Sequence, residues 1–391
     1  MDWNNKTAAN VKAIKPSGIR KFFDIAAQVK GVLSLSIGEP DFAAPDKVLD
    51  AMKASLDAKE TSYTGNSGMM ELREAISQHF EKHYGVYYDP KDEILVTVGV
   101  SEGLAMALLA ITEPGDEVII PDPAYVAYPA SVELAGGTPV FVPTYPEHDF
   151  KLTVEALEKV ITPKTKAIVI GYPNNPTGTV MSAEELMPIA KFAEEHDLIV
   201  LSDEIYCELM YGDAKFTSFA KLPGMRERTV IFNGFSKAYA MTGMRLGYVC
   251  APREGLAPIL KLHQYAIMCA NTTAQVGGIT ALKECDADVE AMRQEYDRRR
   301  KVIYKGLCDM GLPVFEPKGA FYIFPDIRCT GMTSAEFCEK LVQEEKVAVV
   351  PGTAFGAQGE GFVRISYAAS MDTIQEALKR MARFVDKYRS C

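Results

Sequence analysis

A lysine and an arginine eight residues apart carry the strongest chemical signal in the sequence. Lys237 stands in Asn233-Gly234-Phe235-Ser236-Lys237-Ala238-Tyr239-Ala240-Met241-Thr242-Gly243-Met244-Arg245-Leu246-Gly247, just beyond the apolar run Thr229-Val230-Ile231-Phe232. A lysine past the end of a buried strand is where an α/β fold presents an amine to a pocket. Arg245 reaches the same pocket if the segment folds back. An amine there can form a Schiff base with a carbonyl, and a permanent cation beside it can hold a phosphate. Most lysines are solvated, so the pair takes its meaning from the elements that position it.

From about residue 69 to 251 strand and helix signals alternate. Apolar runs at 94–98, 118–121, 167–170, 198–201, 229–232 and 246–250 read as strands. Met69, Leu72, Ile76 and Phe80 share one helical face, and 101–111 and 183–195 read as further helices. Continuous apolar strands with helical crossovers predict an α/β fold, a mainly parallel sheet sandwiched by helices. Residues 1–43 form an arm, with a helix capped by Ser17 and a short strand at 33–37. Pro45, Val48, Met52 and Leu56 predict a helix after it. From about 286 a charged helix, strands near 320–324, 347–350 and 362–366, and a last helix from 371 to about 388 predict a smaller α+β domain. The expected division is 44–285 for the large domain, and 1–43 with 286–391 for the small one.

Loops after parallel strands converge on one edge of the sheet, so the other strand ends are candidates too. Gly99-Val100-Ser101-Glu102-Gly103 opens a helix, whose free N–H groups and the Ser101 hydroxyl make an anion site. Tyr125 follows Pro121-Asp122-Pro123-Ala124 and can lie flat on a planar ring. Tyr172-Pro173-Asn174-Asn175-Pro176-Thr177-Gly178 is a rigid turn that orients Asn175. Asp203, in Ser202-Asp203-Glu204-Ile205-Tyr206, is the first carboxylate beyond an apolar run. A buried carboxylate needs a cationic partner, which a protonated pyridine nitrogen would supply.

The set Tyr172 to Gly178, Ser202 to Tyr206, Phe235 to Gly247 and Phe362-Val363-Arg364-Ile365-Ser366 resembles the class I/II aminotransferases, the fold-type I pyridoxal phosphate (PLP) enzymes. Order and spacing match from Gly38 to Arg364. Within the family, Ser17-Gly18-Ile19-Arg20-Lys21-Phe22, Leu262-His263-Gln264-Tyr265 and Gly359 to Arg364 look closest to the bacterial branch that includes aromatic, aspartate and N-acetyl-diaminopimelate aminotransferases. The resemblance implies roles for matching positions. Lys237 looks like the lysine that carries the cofactor and moves the proton. Asp203 looks like the partner of the pyridine nitrogen. Tyr206 and Asn175 would bond the phenolic oxygen, and Tyr125 would stack on the ring. Val100, Ser101, Glu102, Ser236 and Arg245 match the phosphate site, the first three mostly through backbone. Tyr63 matches a tyrosine that reaches the phosphate of a neighbouring subunit, so a homodimer with composite sites is implied. Arg364 matches the arginine that binds the α-carboxylate, and Gly38 lies in a segment that closes over substrate. The implied reaction is transamination between an amino acid, aromatic or broad in range, and a 2-oxo acid such as 2-oxoglutarate. Carbon–sulfur β-lyases share the fold and the lysine, and a PLP-binding regulatory module is a third reading.

The chain departs from the family at Val100, where many relatives have a small residue, and at Gly234, where some have a hydroxyl. Nothing matches the extra cation that aspartate-specific relatives use, and 104–110 is wholly apolar. His79 and His83 are spaced as a metal pair but lack an adjoining glutamate, so a solvated helix face is expected. The 391 residues carry a net charge of -10, which disfavours nucleic acid and anionic membranes. Eight cysteines without a Cys-x-x-Cys pair, and an opening segment without a signal-like apolar core, predict reduced thiols in the cytoplasm.

Overall fold

The computed structural model describes residues 1–14, 18 and 29–389. The helix start expected at Ser17 lies outside the described residues. In chain order the strands are β1 Leu33–Ser34, β2 Ile94–Thr97, β3 Glu117–Asp122, β4 Thr138–Pro143, β5 Thr165–Ile170, β6 Ile199–Asp203, β7 Thr229–Gly234, β8 Gly247–Cys250, β9 Tyr322–Ile323, β10 Val347–Ala348, β11 Val350–Pro351 and β12 Val363–Ser366.

The large sheet has the order β2-β8-β7-β6-β5-β3-β4. From β7 through β4 neighbouring strands are parallel. Their apolar runs are buried because helices cover both faces. On one face Leu104, Ala107 and Leu108 of the helix Gly99–Ile111 pack with Leu95, Val118 and Phe232. On the other, Leu72, Ile76 and Phe80 of the helix Met70–Tyr84 meet Ile94, Val96 and Ile231. Leu186, Ile189 and Phe192 of Ala183–Glu195 meet Ile168 and Val200.

β8 runs antiparallel to both its neighbours, β2 and β7. Its first residue, Gly247, therefore pairs with the last residues of the others, Thr97 and Gly234. This reversal is the fold-back that brings Arg245, just before β8, to the edge where Lys237 leaves β7. A Cβ on Gly234 would lie 2.8 Å from the Gly247 Cα, which accounts for glycine here where some relatives have a hydroxyl.

The C-terminal part builds an antiparallel sheet, β11-β12-β9. β1 pairs parallel with β10, Leu33 opposite Val347. Three helices, Asp286–Asp309, Ser334–Glu345 and Met371–Tyr388, bury Ile303, Leu341 and Met381 against Phe321 and Ile365. The last helix buries Ile374, Leu378, Met381 and Val385 at helical spacing, and the Ser370 hydroxyl caps its first turn by accepting from the Thr373 N–H.

Three details differ from the sequence reading. β4 was not foreseen: it is a half-exposed edge strand holding Pro139 and Pro143, so it lacks an apolar run. In the helix Asp46–Asp57 the buried face continues through Ser55, and Leu56 is 57% exposed. His79 is buried, not solvated. Its Nε2 bonds Glu208 Oε1 at 3.1 Å and its ring stacks on His83, because the segment after β6 covers that helix face. Among the described residues no group of three side chains could hold a metal, and no helix is long and apolar enough to cross a membrane. Cys207, Cys250, Cys285 and Cys338 are buried free thiols.

Candidate active site

A cavity of about 360 Å³ opens at the C-terminal edge of the large sheet. Gly38, Val100, Ser101, Tyr125, Asn175, Asp203, Tyr206, Ser236, Lys237, Arg245 and Arg364 all line it, although they come from segments spread over the chain. Two of the expected residues do not. Glu102 turns its carboxylate back, accepting from the Val98 N–H at 2.6 Å and meeting His263 Nδ1 at 2.7 Å. Tyr63 is 81% exposed and away from this chain's cavity.

Lys237 sits in the short turn after β7. Its Nζ donates to the Gly38 carbonyl at 2.6 Å. Burial, and then the Arg364 charge, lower its pKa from 10.5 to about 8, against the opposing pull of Glu39 and Asp203. Asp203 ends β6 and is buried. Its Oδ2 accepts from Tyr128 Oη at 2.8 Å and its Oδ1 from the Ile205 N–H at 3.2 Å. Burial still raises its pKa above the usual carboxylate value. A cation placed beside it would reverse that shift.

At the other end of the cavity the helix Gly99–Ile111 begins. The N–H groups of its first turn have no helical partner and carry the positive end of the helix dipole. Arg245 adopts a left-handed backbone, φ 52°, and its Nη1 donates to the Thr242 carbonyl at 2.9 Å. Its guanidinium lies against Gly99, where a Cβ would come within 2.6 Å of Nη2. Glycine at 99, with φ 73°, lets cation and helix end converge beside Ser101.

Arg364, on β12, is 2% exposed. Its Nη1 donates to Asn175 Oδ1 at 3.0 Å and its Nη2 to the Ser36 carbonyl at 2.6 Å. Its Nε has no hydrogen-bond partner, and no carboxylate among the described residues pairs with it. Tyr322 and Phe355 flank the guanidinium, their ring centroids 4.5 and 4.8 Å from its carbon. Tyr206 bonds the Tyr322 hydroxyl at 2.8 Å, and burial raises the pKa of both phenols.

Tyr128, Tyr322 and Phe355 were missed in the sequence. Tyr128 stands three residues after Tyr125 on the next helical turn, and Tyr322 lies within the Ala320–Phe324 apolar run; either spacing was available as a signal. Phe355 carries none, since a turn residue's neighbours depend on the whole fold.

The donor set fits a flat cofactor with a carbonyl, a phosphate and a basic ring nitrogen. A buried amine of lowered pKa, an anion cradle shaped by Gly99, and a buried carboxylate lacking a full cationic partner meet those three needs. The family described as aminotransferase class I and II matches residues 30–381. A putative aminotransferase, YugH, of Bacillus subtilis (strain 168) is 53% identical over 377 residues, 96% of this chain and 97% of its own. An aspartate aminotransferase of Pyrococcus abyssi is 51% identical over 372 residues, 95% of this chain and 96% of its own. The solved structure of an aromatic aminotransferase from Pyrococcus horikoshii is similar at a TM-score of 0.90 and 49% identity, covering 94% of this chain and 99% of that one. In sequence along nearly its whole length, and in fold, the chain belongs to the class I and II aminotransferases, enzymes that depend on pyridoxal phosphate.

Proposed function

We propose that this aminotransferase takes the amino group of an L-amino acid, with aromatic or other extended side chains favoured, and passes it to 2-oxoglutarate. One observation carries the reading. Arg364 is a buried guanidinium that meets only neutral acceptors, in the same cavity as an amine of lowered pKa. A buried cation with a free N–H edge is completed by an anion, and a carboxylate fits the planar fork.

The remaining roles are those the family resemblance implies, and the donor set accommodates them. Asp203 would pair with the ring nitrogen, Tyr125 would cover the ring, and Tyr206 and Asn175 would bond its phenolic oxygen. Ser101, Ser236, Arg245 and the N–H groups around Val100 and Glu102 would hold the phosphate. When bound, pyridoxal phosphate supplies an electron-accepting ring that stabilises the charge left at the substrate carbon when its proton departs. The Nζ of Lys237 would take that proton. A pKa of about 8 leaves an appreciable neutral fraction near pH 7 for the task. Tyr128, which also lines the cavity, donates to Asp203 and fixes the carboxylate there.

The stretch 104–110 offers no cation for a second carboxylate, which supports extended apolar side chains over aspartate. We place the boundary of the large domain at 44–285, with 1–43 and 286–391 as a discontinuous smaller domain. We further propose a cytoplasmic homodimer in which exposed Tyr63 serves the partner's phosphate. Half-reaction spectra of the PLP form against all common amino acids test the proposal. Loss of the lysine-bound cofactor band with aromatic amino acids, and turnover that requires a 2-oxo acid, are expected. Release of pyruvate and ammonia from cystathionine without an oxo acid would make the enzyme a β-lyase instead.

A further inference from the structure

One buried carboxylate near the cavity has no part in the chemistry above. Asp122 ends β3, is 5% exposed, and belongs to no ion pair among the described residues. Its Oδ2 accepts from the Ala357 N–H at 3.0 Å and its Oδ1 from the Gln358 N–H at 3.3 Å. Two residues on, the Ala124 N–H donates to the Phe355 carbonyl at 2.9 Å. Between these contacts lies Gly356, at φ 137°, where a Cβ would come within 1.9 Å of Asp122 Oδ1. The carboxylate fills the space that a side chain would take. The turn it holds carries Phe355, one of the two rings against the Arg364 guanidinium.

We infer that Asp122 is a positioning residue for the carboxylate site: it clamps the 355–358 turn to the edge of the large sheet and thereby fixes Phe355 over Arg364. The inference rests on the reading of Arg364 as the seat of the substrate carboxylate. Geometry supports a clamp over a mere buried polar group. Both oxygens engage one turn from the C-terminal part of the chain, 235 and 236 residues away, and that turn ends on the arginine. A clamp of this kind acts on every substrate alike, because all present the same carboxylate. Loss of such uniform binding raises KM and leaves kcat alone.

The test uses holoenzyme carrying Asp122→Asn, which keeps the shape but turns an N–H donor toward one of the two N–H groups. KM for amino acid and oxo acid should rise about tenfold together, with kcat changed by less than about twofold, as loss of a hydrogen bond to a charged group allows. Calorimetric affinity for 3-phenylpropanoate, a carboxylate without an amine, should fall by the same factor, while cofactor content and visible spectrum stay as in wild type. Gly356→Ala should give the same pattern from the other side of the contact. A purely structural role would lower kcat and cofactor content and leave KM and the calorimetric affinity in place, which would overturn the inference. If Asp122→Asn does not fold, Phe355→Leu decides: unchanged affinity for 3-phenylpropanoate sinks the idea. Arg364→Lys separates the two readings. Should it weaken the probe while Asp122→Asn does not, the clamp alone fails; should neither weaken it, the carboxylate site lies elsewhere.

Discussion

The amine of Lys237 donates to the main-chain oxygen of Gly38 at 2.6 Å, joining positions 199 residues apart. Gly38 belongs to the segment that follows β1, and Ser36 of that segment accepts from Arg364. The carbonyl is a neutral acceptor, so it serves the amine whether or not it is protonated. The amine thus stays placed while burial and the Arg364 charge draw its pKa down.

That lowering has a sign in stability. In the folded protein without cofactor the amine loses its proton near pH 8, whereas the ordinary value is 10.5. Between these values the unfolded chain binds more protons, so stability rises with pH across the window. Below pH 8 both states are protonated and the folded one carries the full cost of the buried charge. Lys237→Met should therefore melt higher than wild type in the cofactor-free form at neutral pH, with the gap closing toward pH 10.5. Thermal melts at a series of pH values check this, and a gap that widens with pH would contradict it.

In catalysis the lysine should be irreplaceable. Lys237→Ala should retain PLP through phosphate and ring contacts but lose the absorbance of the lysine-bound cofactor. Half-transamination should drop by several orders of magnitude, since carrier and base vanish together. Turnover near wild type would move the catalytic amine to another residue.

On the proposed pairing with the ring nitrogen, Asp203→Ala would remove one side of a buried charge pair, a loss of about 3–5 kcal/mol. It should appear mostly in PLP affinity and in the rate of proton abstraction. Equilibrium dialysis and single-turnover kinetics measure the two separately. If both match wild type, Asp203 does not face the ring nitrogen.

Arg364→Lys should weaken all substrates together, because an ammonium cannot reproduce the two-pronged contact. The side chain is chosen elsewhere, so phenylalanine and tyrosine should react at least as well as aspartate. A kcat/KM for aspartate roughly a hundredfold above both, about 2.7 kcal/mol, would reveal a distal cation.

Tyr63 is exposed on the isolated chain, as a residue that serves a partner would be. Mixing inactive Lys237→Ala with a defective Tyr63 variant should restore part of the activity, because both lesions can assort into one site. Full activity in a protein that scatters light as a monomer would rule composite sites out.

Much of this was legible because parallel strands buried on both faces announce themselves as apolar runs. β5, β6 and β7 did, and the chemistry stood directly at their ends in Asn175, Asp203 and Lys237. The edge strand β4 did not, since half-exposed residues and two prolines erase the pattern. The helix Thr272–Glu284 was equally silent: Gly277 and Gly278 look like breakers but pack against Met52 and Leu246, where larger side chains would not fit. Glu102, matched to the phosphate site mostly through its backbone, spends its carboxylate on the helix start itself. Phe355 gains its role from a neighbour remote in sequence, which no local spacing encodes, whereas Tyr128 and Tyr322 stood in stretches whose spacing offered a signal.

The bond from Arg364 to the Ser36 carbonyl spans 328 positions. By contrast, Lys237 and Arg245 lie on one short return between adjacent strands. Two of the proposed cofactor anchors can thus come together locally while the chain is still emerging from the ribosome. The proposed seat for the substrate carboxylate forms only after Arg364 has been made and has met Ser36. A chain cut short before β12 would keep the Lys237–Arg245 return yet lack the guanidinium proposed to seat an amino acid.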